Sequence, residues 1–184
     1  MMDAWLGRFL DKMDETGLSE DTLLVLLSDH GVALGEHGYT GKGSNVLWPE
    51  VTDVPFFVRH PGGKMAGERS DYHASTHDVA PTILGTLGIE APGQMTGQDL
   101  SVLFGGGTPE QARSHFTLGY NDHAWARDDR YVMFARNDGS EALLFDTKED
   151  PEMRRDVAAE RQDVIDRMWN DYVLADAGGP LPQY

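Results

Sequence analysis

The most diagnostic segment of this chain is Leu23-Leu24-Val25-Leu26-Leu27-Ser28-Asp29-His30-Gly31. Five consecutive apolar residues lead through a serine into a carboxylate, an imidazole and a glycine. An unbroken apolar run of this length predicts a parallel strand that is covered on both faces. Ligands of open α/β sheets bind just beyond the carboxyl ends of such strands, so Asp29 and His30 stand where a site is expected. Both side chains are ligand types for divalent cations.

Each of these residues also has a simpler interpretation. Asp29 can cap the turn after the strand, and His30 can be a histidine with satisfied hydrogen bonds inside the core. Downstream, Gly35-Glu36-His37-Gly38 is followed by Lys42 between two glycines. Lys42 is a cation able to meet an oxyanion or an ordinary solvated lysine, and His37 either contacts the pocket or pins the loop. The predicted loop over residues 31–50 is long, and long loops in compact domains are usually functional.

Together with Ser44 and Asn45, these motifs resemble the C-terminal metal-binding segment of sulfatases of the alkaline phosphatase superfamily. The resemblance is nearest to the branch that contains iduronate-2-sulfatase and the choline-sulfatase-like enzymes. Three later segments are similar to the same family in the family's order, and they are Asp53–Gly62, His77–Leu84 with the following Gly88-Ile89, and Leu144–Glu152. The ordered series covers nearly the whole chain.

The resemblance implies a function and a ligand set. Asp29 and His30 would ligate a divalent metal ion, and Lys42 would contact the sulfate group. Calcium is the expected ion of a sulfatase, and manganese or zinc would suit related phosphonate and phosphodiester hydrolases. The expected activity is hydrolysis of a sulfuric ester by a formylglycine nucleophile, on a sulfate-ester or phosphoester small molecule or sugar. The alternatives are a phosphonate or phosphodiester hydrolase of the same superfamily, or a non-catalytic, complementing domain.

The nucleophile motif of the family is absent from these residues. Formylglycine is made from Cys or Ser in a Cys/Ser-x-Pro-x-Arg motif, yet the chain has no cysteine and no serine followed two residues later by proline. The Asp-Asp pair that completes the family's metal site is also missing, because Asp128-Asp129 lies between two arginines and is predicted to form a solvated turn. We therefore expect a C-terminal part of a sulfatase that carries half a metal site. Its expected protein partners are a second copy of the chain or a missing N-terminal half.

The composition and net charge limit which other classes of partner are expected. The chain has 184 residues, 40% of them hydrophobic, and a formal net charge of −16. Such a charge argues against binding to nucleic acid or to an anionic membrane surface. No run approaches the length of a membrane span, and no signal peptide is recognised. The absence of cysteine excludes disulfides and thiolate metal sites, and it leaves bacterial cytoplasm and periplasm both open.

The hydrophobic pattern predicts an α/β fold in two parts. Residues 1–107 would form the C-terminal part of a sulfatase α/β domain, with a mixed or parallel sheet and flanking helices. Residues 108–184 would form a small antiparallel subdomain with a terminal helix. The predicted buried apolar stripe of that helix consists of Val157, Val164, Ile165, Met168, Trp169 and Tyr172. The predicted helices are 3–16, 76–87 and 151–175, and the predicted strands are 21–27, 55–59, 115–120, 130–135 and 142–145. Residues 137–140, Asn-Asp-Gly-Ser, predict a hairpin between the last two strands.

Two further pairs of residues have both a functional and a structural interpretation. His123 and Trp125 are predicted to lie in a loop between strands, where they either line a substrate subsite or belong to an exposed loop with an anchoring aromatic residue. His77 and Asp78 are predicted to lie at the N-terminus of a helix, where an aspartate complements the helix dipole.

Overall fold

The computed structural model describes residues 2–42, 47–109 and 112–183. Ser44 and Asn45, which contribute to the family resemblance, lie outside these ranges. The strands are β1 (Leu24–Leu27), β2 (Ala33–Leu34), β3 (Thr40–Gly41), β4 (Phe56–Arg59), β5 (Phe116–Tyr120), β6 (His123–Arg127), β7 (Tyr131–Arg136) and β8 (Leu143–Asp146). The α-helices are α1 (Met2–Glu15), α2 (Pro49–Thr52), α3 (Val79–Thr86), α4 (Gln162–Met168) and α5 (Ala175–Ala177). Within the described ranges, every helix is too short or too polar to cross a membrane.

The chain divides into two compact units. The first contains residues 1–29 and 54–112, and the second contains residues 30–53 and 113–184. The segment 30–53 therefore belongs with the C-terminal sheet, although it lies between the two parts of the first unit in sequence. The predicted division into residues 1–107 and residues 108–184 stays a prediction.

In the first unit, β1 pairs antiparallel with β4, and Leu26 stands opposite Phe57. The prediction that β1 is a parallel strand covered on both faces was wrong for this structure. No residue of β1 is fully buried, and Leu26 is exposed. The apolar run correctly predicted a strand. The run does not encode which strand pairs with β1 or what packs on its faces, and those neighbours decide the pairing direction and the burial.

The α3 region is held by a buried aspartate. A short 3₁₀ turn, Thr76–Asp78, precedes α3, and its N-cap is Ser75. The Asp78 carboxylate is fully buried and accepts the backbone N–H groups of Ser75 and Gln98, each at 2.7 Å. Asp78 therefore acts as a capping-box residue and ties the start of the helix to the segment at residue 98.

The second unit is built on a four-stranded antiparallel sheet in the order β5-β6-β7-β8. The predicted hairpin is confirmed, because β7 pairs with β8 and the Arg136 N–H reaches the Ser140 carbonyl at 2.9 Å. Strand β6 was missed. His123 and Trp125 lie in this strand rather than in a loop, and the Trp125 side chain is buried.

Alternation along the strands gives this sheet two apolar faces. One buried cluster, with Ala124, Met133 and Leu144, packs against the C-terminal helical segment. The other, with Trp125, Phe134 and Phe145, packs against Leu47, Val51 and Met153. Because successive side chains in a strand point to opposite faces, the sheet is covered on both sides, which explains why Tyr131–Ala135 are all buried.

The C-terminal helix begins later than predicted. Pro151 does not open it, and α4 begins only at Gln162, followed by a π-helical turn over Trp169–Leu174 and by α5. The reason is visible at Met153, whose φ of 50° is incompatible with a helix and whose side chain is buried under the sheet. The predicted apolar stripe nevertheless faces the core through Val164, Ile165 and Met168.

Asp128 is not the solvated turn residue that was predicted. Its carboxylate accepts the Tyr131 N–H at 2.7 Å and the Arg130 N–H at 2.9 Å in the turn between β6 and β7. It also accepts from the Arg167 guanidinium at 2.9 Å and from the Tyr172 hydroxyl at 3.2 Å. Asp128 thereby joins that turn to the C-terminal helical segment.

We predict that Asp128→Asn lowers the free energy of unfolding by about 1–3 kcal/mol, because it removes the charge from a cluster of charge-assisted hydrogen bonds. Denaturant titration measures the change. Asp129→Asn at the exposed neighbouring position is the matched control and should change stability far less. Equal effects of the two substitutions would contradict the prediction.

The same substitution should alter the pH dependence of stability. Burial raises the pKa of the Asp128 carboxyl, but the N–H groups of Tyr131 and Arg130 and the Arg167 guanidinium outweigh burial and hold this pKa below its ordinary value. The stabilisation is therefore complete above the unfolded-state pKa of about 3.9 and is lost as the pH falls through the lower folded-state pKa. In the Asp128→Asn variant, the free energy of unfolding should therefore fall less as the pH is lowered, which denaturant titrations at several pH values measure.

Candidate functional site

The candidate ligands follow β1 directly, as predicted. Asp29 is the last residue of the first unit before the chain enters the second, and His30 is the first residue of the second. The His30 Nδ1 atom lies 2.9 Å from the Gly31 carbonyl oxygen, and its Nε2 atom lies 2.7 Å from the Lys42 Nζ. A carbonyl oxygen only accepts, so Nδ1 carries the proton and Nε2 accepts a hydrogen bond from the Lys42 ammonium. The structure thus brings two of the predicted site residues into direct contact.

Glycine is required at position 31. The Gly31 N–H donates to the Val51 carbonyl at 2.8 Å, so the chain after His30 lies directly against α2. A Cβ atom at Gly31 would stand 1.9 Å from the Glu50 carbonyl oxygen, closer than atoms can approach. The position and tautomer of His30 are therefore set by backbone packing as well as by Lys42.

The segment between His30 and Lys42 is more ordered than the predicted loop. Strands β2 and β3 form a small antiparallel ladder, with Leu34 opposite Thr40. The Glu36 carboxylate accepts the Leu34 N–H at 2.5 Å, and the backbone N–H groups of Glu36 and Leu34 hold the pKa of this carboxyl below its ordinary value. Lys42 comes immediately after β3, so this ladder fixes the position of the Lys42 backbone.

His37 lies in the connection between β2 and β3 with a φ of 52°. Its ring stacks face to face on Trp48, with a centroid separation of 3.8 Å and an interplanar angle of 5°. Its Nε2 atom lies 3.9 Å from Glu50 Oε2, which is buried and has no hydrogen-bond partner among the described residues. The predicted contact of His37 with a substrate pocket stays a prediction.

Trp48 and Glu50 were not identified from the sequence. Trp48 packs against Phe134 at 5.7 Å and against Phe145 at 5.5 Å between ring centroids. The available signal was Trp48-Pro49, an aromatic residue before a proline at the end of a glycine-rich loop. Asp53 adds a second link, because both of its carboxylate oxygens lie 2.7 Å from Arg127 Nη1. The segment 47–53 therefore contacts the four-stranded sheet through both aromatic packing and an ion pair.

The donor set around His30 fits part of a divalent-metal site. A histidine whose Nδ1–H is held by a backbone carbonyl presents its Nε2 lone pair, which is the usual arrangement of a metal-ligating imidazole. Asp29, the preceding residue, supplies a carboxylate. Within residues 2–42, 47–109 and 112–183, no cluster of three or more acidic or histidine side chains is arranged to hold a metal ion. Ligation of a metal ion by Asp29 and His30 therefore stays a prediction.

Sequence comparison supports a relationship to sulfatases. Residues 1–89 match the family model for sulfatases. An ulvan-active sulfatase from Formosa agariphila is 32% identical over 159 residues, which are 81% of this chain and 31% of that enzyme.

Structure comparison supports the same relationship. The phosphonate monoester hydrolase of Agrobacterium radiobacter is similar with a TM-score of 0.81 and 27% identity, over 95% of this chain and 38% of that one. A protein solved in complex with its substrate D-glucosamine-2-N,6-O-disulfate gives a TM-score of 0.75 and 26% identity, over 90% of this chain and 36% of that one.

These similarities confirm the predicted fold class, an α/β fold of the alkaline-phosphatase-like sulfatase type. The chain spans 31% of the length of the ulvan-active sulfatase, so it corresponds to about a third of that relative. The family match begins with α1 and includes β1, Asp29, His30 and Lys42. By sequence and by fold, the chain belongs to the sulfatases of the alkaline phosphatase superfamily.

Proposed function

We propose that this chain supplies the metal-ligand and sulfate-contact segment of a sulfatase that hydrolyses sulfuric esters. The observation that carries the proposal is the 2.7 Å contact between Lys42 Nζ and His30 Nε2, with His30 Nδ1 held by the Gly31 carbonyl. In this arrangement the Lys42 ammonium lies beside the imidazole and donates to its Nε2 lone pair. An ammonium in that position can neutralise an anionic oxygen, and the imidazole can ligate a cation.

Asp29 and His30 would hold the metal ion, with calcium as the proposed ion and manganese or zinc as alternatives. When bound, such an ion supplies Lewis-acid stabilisation of developing charge, worth several kcal/mol. Lys42 would contact a sulfate oxygen and stabilise charge that moves toward the leaving group. The Gly31 carbonyl would keep His30 in the tautomer that leaves Nε2 available.

The nucleophile is not among these 184 residues, because they contain no cysteine and no Ser-x-Pro sequence. A formylglycine nucleophile would have to come from elsewhere in the complete enzyme. The chain by itself would then be an inactive or complementing domain, since the covalent step has no attacking group.

The proposed substrate is a sulfate ester of a sugar or small alcohol. Support comes from the similar ulvan-active sulfatase and from the related structure that binds a disulfated glucosamine. A phosphonate or phosphodiester substrate is the second candidate, and the similarity to a phosphonate monoester hydrolase favours it. Both substrates present tetrahedral anionic oxygens, so the same lysine and metal ligands would suit either of them.

We predict that the purified chain shows no measurable turnover of aryl sulfates or aryl phosphonate monoesters, because it lacks the attacking group. Release of the aryl alcohol, followed by absorbance with and without added calcium, manganese or zinc, is the measurement. Metal-dependent turnover that disappears in Asp29→Ala would show that these residues form a complete active site.

We predict weak calcium binding by the purified chain, with a Kd above about 0.1 mM, because two protein ligands leave most of a six- to eight-oxygen shell to water. Asp29→Ala should abolish this binding, whereas Asp21→Ala, at an exposed carboxylate before β1, should leave it unchanged. Lys42→Met should strengthen binding, because the ammonium no longer occupies His30 Nε2. Isothermal titration calorimetry measures all four proteins, and sub-micromolar affinity in the wild type would rule out a half-site.

We also propose that the first unit associates with a second copy of the chain. The ladder of β1 and β4 has only two strands among the described residues, and Leu26 and Phe57 stand opposite each other on one face of it. Phe57 is 63% exposed, and Trp5 in the same unit is 61% exposed. Short two-strand ladders are marginal alone, and exposed apolar surface of this kind usually forms an interface. The net charge of −16 opposes association but is screened beyond about 8–10 Å at physiological salt.

Light scattering over a range of protein concentrations should therefore give a mass above the monomer mass of 20.3 kDa. Phe57→Lys should shift the protein toward monomer, because it places a charge in the apolar face. Met65→Lys, at an exposed loop methionine of the same unit, is the control. A monomer at every concentration would contradict self-association and favour a different polypeptide, such as a missing N-terminal half, as the partner.

A further inference from the structure

We propose that His37 is a positioning residue. Its stack on Trp48 would hold residues 37–42, which end at Lys42, against the core of the four-stranded sheet. The inference rests on the proposed function only for the role of Lys42 toward an anion. The positioning itself is a property of the described residues of the second unit, and it can be tested without metal or substrate.

The stack joins two ends of one segment. His37 and Trp48 are separated by eleven positions in sequence, and Lys42 lies between them. Their rings are almost parallel and 3.8 Å apart, so they are in full van der Waals contact.

Trp48 is a rigid support for this contact. Its ring packs against Phe134 and Phe145, which are both buried and which contact each other edge to face at 6.0 Å. These two residues come from β7 and β8, the inner and outer strands of one hairpin. A side chain that packs on Trp48 is therefore held in position relative to the hydrophobic core of the sheet.

The backbone at His37 determines how the stack affects Lys42. His37 occupies the left-handed region with a φ of 52°, which costs energy for a residue with a Cβ atom. It lies in the connection between β2 and β3, and Lys42 follows β3 directly. By holding this connection in place, the stack holds β3, and β3 holds the residue that reaches His30 Nε2.

The polar edge of the ring offers a competing explanation. Glu50 Oε2 is buried, without a hydrogen-bond partner among the described residues, and 3.9 Å from His37 Nε2. An electrostatic attraction could hold the imidazole even without the stack. A third possibility is direct contact of His37 with substrate. The three explanations require different properties of the side chain, so substitutions can separate them.

Two variants isolate the stacked ring. His37→Phe keeps a flat ring and removes both nitrogen atoms, so it preserves stacking and abolishes any interaction with Glu50 or with a substrate anion. His37→Asn removes the ring, yet asparagine tolerates the left-handed backbone, so it separates the loss of stacking from backbone strain.

The readout is the His30 ring, observed by long-range ¹H–¹⁵N correlation of the histidine side chains in the purified, metal-free chain. The wild type should show His30 with the proton on Nδ1 and a hydrogen bond to Nε2, and Lys42→Met should remove the signature of that hydrogen bond. We expect His37→Phe to retain the signature and His37→Asn to lose it. Backbone amide signals of β5–β8 should stay at their wild-type positions in both variants.

Three results would overturn the proposal. If His37→Asn retains the His30 signature, the stack does not position Lys42. If His37→Phe loses it as fully as His37→Asn, the polar edge of the ring and not its stacking is responsible. If His37→Asn unfolds the sheet, the contact belongs to the core of the fold and is not a positioning device. None of these results depends on turnover or metal binding, so a failure of the proposed sulfatase function would be recognised separately.

Discussion

The small antiparallel sheet has two apolar faces, and both must be covered. Alternation along β6, β7 and β8 sends Met133 and Leu144 to one face and Phe134 and Phe145 to the other. The C-terminal helical segment covers the first face. The second is covered by a segment that precedes the sheet by more than sixty residues, through Trp48 and its neighbours. Burial of a large apolar side chain is worth about 1.5–3 kcal/mol, so this second cover is a substantial part of the unit's stability.

That requirement explains why the site segment belongs to the C-terminal unit. Residues 30–53 are assigned to the second unit, and the described residues 47–53 pack on its sheet through Leu47, Val51 and the pair formed by Asp53 and Arg127. His30 and Lys42 lie on the part of the chain that the sheet holds in place. The geometry of His30 and Lys42 is consequently linked to the packing of the four-stranded sheet in the same unit.

Electrostatics in the site acts over short distances. The protein carries a net charge of −16, yet the His30 ring is contacted by a lysine ammonium and by a backbone carbonyl. A carbonyl that fixes the Nδ1 proton leaves a single nitrogen available for either the lysine or a metal ion. If His30 ligates a metal ion as proposed, the same nitrogen would couple binding of that ion to the position of the lysine that would meet an anionic substrate.

The sequence by itself determined the family, the α/β class, the strand before Asp29, the hairpin at residues 137–140 and the apolar stripe of the terminal helix. Those features depend on local periodicity, turn chemistry and ordered motifs, which adjacent residues encode. Only the tertiary structure decided the antiparallel pairing of β1, the hydrogen bonds of Asp128 to Arg167 and Tyr172, and the stacking of His37 on Trp48. Those features depend on contacts between residues far apart in sequence, and no local pattern records which distant side chain will be the neighbour.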